Sequence, residues 1–184
     1  RYVILYCGRL SKEKNPLALL QAFDAAPMPN KYLAFVGDGE LMGSLRELVE
    51  SKNIGSVGFF GFQDRKEISK FYAMADVLVL PSQRETWGIV VNEALCFGLP
   101  VITSDQVGAA LDFVLNNFNG YTFPAGDLEG LTNCLKQLAA LPDEERRRMG
   151  ERSLDLMRSW TQMQPVENLL DYLDTLVSQR KVRT

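Results

Sequence analysis

Glu85 and Glu93 stand eight positions apart, and each carboxylate can accept hydrogen bonds from the hydroxyls of a ligand. The apolar run at 77–80 reads as a buried strand, and residues 88–97 read as a helix. Glu85 then falls in a strand-to-helix loop, and Glu93 about one turn inside the helix, facing the same crevice. Ligands of open α/β sheets bind at the carboxyl ends of the strands. The first N–H groups of the helix, around Trp87, Gly88 and Ile89, have no intrahelical partner and can hold an anion. Hydroxyls plus a diphosphate describe a nucleotide sugar. Spacing alone reads as well as a solvated loop residue followed by an ordinary helix-surface glutamate.

A second group of residues follows the first strand. Gly8 permits a tight turn, and Arg9 and Lys14 place two cations before the first helix. A guanidinium fork and an ammonium there would neutralise a diphosphate, with Lys12 as a solvated neighbour. Taken alone, this loop is equally a basic surface turn paired with Glu13. Gly37, Gly39 and Gly43 nearly reproduce a dinucleotide fingerprint, with the third glycine one residue late. Gly61 and Phe62 follow the third strand, where a loop could clamp a nucleobase against the Phe62 ring. The plain alternative is a turn with Asp64 capping the next helix. Residues 97–105 and the Asn119–Gly120 turn read as architecture.

These residues need a frame, and strands alternate with helices almost from end to end. Strands are expected at 2–6, 32–36, 57–60, 77–80, 101–103 and 121–123, most of them near-continuous apolar runs suited to a covered parallel sheet. Helices are expected at 16–25, 41–52, 66–73, 88–97, 109–115 and 128–141, with Pro16 at a first helical position and Asp127 as an N-cap. The alternation predicts an α/β fold, a Rossmann-like doubly wound parallel sheet of about six strands. From 141 to 184 the pattern is helical only, around the 144–148 charge run and again at 165–181. The charge run reads as a solvated helix face, with membrane contact the minor alternative.

Composition narrows the classes. The 184 residues carry a net charge of -3, so no broad attraction draws them to nucleic acid. There is no histidine, and Cys7, Cys96 and Cys134 are isolated in apolar stretches. That pattern predicts buried free thiols in a reducing cytoplasm, no metal site, and no Ser-His or Cys-His chemistry. The abrupt start on a strand suggests a piece of a longer protein.

Six segments then occur in one order over roughly the first two-thirds of the chain: Gly8 and Arg9 with Lys14 and Asn15; 36–39; 60–62; Ala75 and Asp76 leading to 80–82; Glu85 and Glu93; and 98–105. Together they resemble the C-terminal, donor-binding domain of retaining GT-B glycosyltransferases of family 4. The resemblance implies one half of a GT-B fold, bacterial in style, whose whole protein moves a hexose from a UDP-, GDP- or similar nucleotide sugar. The acceptor would be a glycan, lipid or small molecule, as in polysaccharide biosynthesis. It implies that Arg9 and Lys14 hold the diphosphate, Glu85 the hexose hydroxyls and Glu93 the ribose. Backbone groups at Trp87, Gly88 and Ile89 would add anion binding, with no cofactor or metal required. Two departures stand out. Residues 107–112 replace the family's paired glycines and glutamate, and the acceptor-binding N-terminal domain is missing from the chain. The isolated chain is therefore expected to bind donor but not to turn over. Any peripheral membrane contact would belong to the full-length protein. Two other classes remain open: a non-catalytic nucleotide-sugar-binding scaffold, and an NAD-dependent oxidoreductase domain resting on the imperfect glycine loop.

Overall fold

The computed structural model describes residues 1–160. Six parallel strands form one sheet in the order β3-β2-β1-β4-β5-β6. They are β1 (Tyr2–Cys7), β2 (Lys31–Val36), β3 (Val57–Phe59), β4 (Val77–Leu80), β5 (Val101–Ser104) and β6 (Gly120–Phe123). The helices are α1 (Pro16–Ala25), α2 (Met42–Ser51), α3 (Arg65–Met74), α4 (Ile89–Cys96), α5 (Gly108–Phe113), α6 (Leu128–Ala140) and α7 (Asp143–Ser159). The expected α/β doubly wound sheet is present. The predicted helix at 165–181 lies outside the described residues. Cys7 and Cys134 are buried free thiols as expected, whereas Cys96, the last residue of α4, is exposed.

Alternation along β1 shows why the strands lack a polar face. Ile4 and Tyr6 point into a core shared with Leu19, Leu20 and Phe23 of α1 and Leu131, Leu135 and Leu138 of α6. Leu5 and Cys7 point the other way, among Tyr72 of α3 and Val91 and Leu95 of α4. Both faces are covered, so both parities must be apolar. Each fully buried Leu or Phe contributes roughly 1.5–3 kcal/mol against leaving it in water.

Strand order reverses between β1 and β4, which pair through Ile4↔Val77 and Leu5↔Leu78. The crevice of a doubly wound sheet opens at such a reversal, beyond the carboxyl ends of the two strands. Here those ends are Cys7 and Leu80, and the loops leaving them carry Arg9, Lys14 and Glu85.

Candidate functional site

The loop after β1 is fixed from inside. Tyr6 Oη donates to the Arg9 carbonyl at 2.7 Å, while the Arg9 side chain stands exposed. The Gly8 and Leu10 N–H groups donate to the carbonyls of Val36 and Asp38, each at 2.9 Å. A Cβ at Gly37 would come within 1.9 Å of the Gly8 carbonyl oxygen, and one at Gly39 within 2.5 Å of the Leu10 oxygen. The two glycines therefore let the loops after β1 and β2 lie against each other. This packing role accounts for the near-fingerprint, and Gly43 has open space around it.

Lys12–Lys14 form a single 3-10 turn, and Asn15 at φ 52 hands the chain to Pro16 at the start of α1. Lys14 Nζ forms an ion pair with Glu85 Oε2. The Gln83 N–H donates to the Glu13 carbonyl at 2.7 Å, so Glu13 contributes its backbone to the same junction. Burial pushes the Lys14 ammonium below the usual lysine range, and the Arg9 charge acts in the same sense. Glu13 opposes the shift, as does any carboxylate in direct contact.

Glu85 is anchored through its backbone as well. Its N–H donates to the Gln106 carbonyl at 3.0 Å, and its carbonyl accepts from the Gly108 N–H at 3.1 Å. Residues 107–112, which depart from the resembled pattern, thus supply Val107, wholly buried, and the start of α5. The Trp87 indole donates to Asn92 Oδ1 at 2.9 Å and meets Phe113 edge-on at 6.2 Å. Its ring is committed to packing. Gly88 takes φ 88, and a Cβ there would come within 2.9 Å of Val107 Cγ1. The Val91 N–H is taken by the Gly88 carbonyl at 2.9 Å, which leaves the N–H groups of Gly88, Ile89 and Val90 without an intrahelical partner.

Glu93 sits on the α3 side of α4. Tyr72 Oη donates to Glu93 Oε2 at 2.7 Å. Glu93 lines a cleft of about 450 Å³ with Arg65, Ile68, Tyr72 and Ile89. Arg9 lines a second cleft, of about 400 Å³, with Cys7, Gly8, Asp38, Phe62 and Ile68. The expected single crevice is thus built as adjoining clefts that share Ile68. Phe62 is 82% exposed at the edge of the second one. Cys7 and Tyr72 escaped the sequence reading because they look like core residues. The available signal was helical period, which puts Tyr72 on the same face of α3 as Ile68. Burial pushes the Cys7 thiol up to about 11; the Tyr72 hydroxyl opposes this and the Glu93 charge adds to it. Burial, Cys7 and Glu93 all hold the Tyr72 phenol above its ordinary value, so it stays protonated.

Another cleft, about 450 Å³ between Arg1, Tyr2, Asp76, Pro100 and Arg146, lies at the amino ends of the strands, away from the reversal. Among the described residues no group of three or more His, Cys, Asp or Glu forms a metal ligand set. No described helix is long and apolar enough to cross a membrane.

The family model described as glycosyl transferases group 1 matches residues 1–155. The chain belongs to the group 1 glycosyltransferases. Among curated members it is 34% identical over 148 residues to the sulfoquinovosyl transferase SQD2 of Arabidopsis thaliana, covering 79% of this chain and 28% of that one. Among solved structures it superposes on Anabaena HepE in complex with UDP and glucose with TM-score 0.78 and 22% identity, over 97% of this chain and 48% of that one. The C-terminal domain of a glycosyl transferase group 1 family protein, LpcC of Francisella tularensis, gives TM-score 0.78 at 22% identity, over 86% of this chain and 85% of that domain. The chain spans less than half the length of the curated group 1 glycosyltransferases it matches first.

Proposed function

We propose that this chain is the donor-binding domain of a retaining glycosyltransferase that moves a hexose from a nucleoside-diphosphate sugar to a glycan, lipid or small-molecule acceptor. The observation that carries the reading is the meeting of Lys14 with Glu85 across the β1–β4 reversal, on the loop that also carries Arg9, with Glu93 lining a cleft that adjoins that of Arg9 through Ile68. Arg9 and Lys14 would bind the diphosphate and stabilise the charge that develops on it as the glycosidic bond breaks. The free N–H groups opening α4 add positive potential at the same place. These groups would do the work a divalent ion does in other transferases, so no metal or cofactor is assigned. Glu85 would accept from the hexose hydroxyls and Glu93 from the ribose. Phe62 and the 61–63 backbone would lie along the nucleobase. SQD2 by name, and HepE with UDP and glucose bound, fit this substrate class.

The acceptor site, and with it turnover, would come from an N-terminal domain beyond this chain, in a cytoplasmic and bacterial setting. Titration with UDP-, GDP- and ADP-hexoses by calorimetry at low salt tests the binding claim, and absence of heat and of NMR shifts with all three would sink it. The scaffold reading loses ground because Arg9, Lys14, Glu85 and Glu93 are all present around one reversal. The oxidoreductase reading loses its footing because Gly37 and Gly39 are used for loop packing.

A further inference from the structure

We infer that Tyr72 is a positioning residue for the nucleotide site: its hydroxyl sets the plane of the Glu93 carboxylate so that the remaining lone pairs face the ligand. The inference rests on the reading of Glu93 as the ribose acceptor. A glutamate reaches a bidentate partner through three rotatable bonds, and fixing a flexible side chain at the moment of binding weakens the complex. Tyr72 removes that freedom beforehand. It is 1% exposed, its ring stacks on Phe97 at 5.3 Å and 22°, and its hydroxyl lies 2.7 Å from Glu93 Oε2. A phenol has one proton, and that proton is given to Glu93. This bond ties α3 to the second turn of α4. It leaves Oε1 and one lone pair of Oε2 for the two ribose hydroxyls. The Tyr72 hydroxyl is the direct partner of Glu93 among the described residues.

Tyr72→Phe removes the oxygen and keeps the ring that packs on Phe97. In the 184-residue chain, affinities for UDP, GDP and ADP are compared with those for the 2′,3′-dideoxy counterparts and for inorganic pyrophosphate. The expected result is a loss of about tenfold for the preferred ribonucleotide in Tyr72→Phe. Binding of the dideoxy nucleotide and of pyrophosphate should be unchanged, so the variant loses its discrimination between ribose and dideoxyribose. In a Glu93→Ala background the same substitution should add nothing. An equal loss for all ligands would mark Tyr72 as merely structural, and an unchanged ribonucleotide affinity would overturn its role outright. A wild-type chain that binds pyrophosphate but does not discriminate ribose from dideoxyribose would overturn both this role and Glu93 as the ribose acceptor. A wild-type chain that binds none of these ligands would overturn the donor-site reading and the positioning role with it.

Discussion

Lys14 and Glu85 meet each other directly, although a nucleotide sugar would use them at different groups. Removing the ammonium should therefore act mainly on the diphosphate. Lys14→Met is expected to weaken nucleoside-diphosphate binding by about tenfold, the scale of one hydrogen bond to a charged group. Calorimetry at two salt concentrations would check it, since the lost contribution should shrink as salt rises. Cys7 gives a different kind of test. Its thiol ionises near 9 when free and at about 11 when folded. Between those values the unfolded chain gives up the proton first, so rising pH favours unfolding. The stabilisation is whole below about pH 9 and is lost progressively toward 11. The melting temperature of Cys7→Ala should fall less steeply across that window than that of the wild type, as followed by scanning calorimetry.

Helix α4 owes its placement to the elements on either side. Gly108 opens α5 with its N–H on the Glu85 carbonyl, and a Cβ there would lie 2.2 Å from the Thr86 carbonyl oxygen. Gly108→Ala should push α5 off this loop, lowering stability by about 1–3 kcal/mol and nucleotide affinity with it. Urea unfolding and calorimetry on one preparation would show both. Asp64 caps α3 by accepting from the Lys66 and Glu67 N–H groups, each at 2.9 Å. Asp64→Ala should cost about 1 kcal/mol, read as a lower urea midpoint. The elements themselves were legible because each has a local cause: strands apolar on both faces, Pro16 at the first helical position, and Asp64 and Asp127 with side chains on the N–H groups that follow. Side-chain partnerships were not. Lys14 finds Glu85 across 71 positions and Tyr72 finds Glu93 across 21. Both pairings depend on β1 lying next to β4, a neighbour relation that periodicity within one segment does not encode. Period shows which way Tyr72 faces but not what it faces.

At the scale of the molecule, the sheet brings the loops after its two central strands, β1 and β4, together at its carboxyl end. On the proposed reading, the 184 residues bind a donor and release no nucleotide by transfer. An assay for free nucleoside diphosphate with donor and candidate acceptors should stay at the blank, and turnover by this chain alone would contradict the division of labour. The ion pair between Lys14 and Glu85 then acquires a directional meaning. With a hexose on Glu85, the ammonium would be free to serve the phosphates. Once the hexose had left, the bare carboxylate would compete with the spent nucleotide for Lys14 and help to eject it. On that reading the resting pair would work as a return spring that clears the site, and Glu85→Gln should hold a nucleoside diphosphate more tightly than the wild type does.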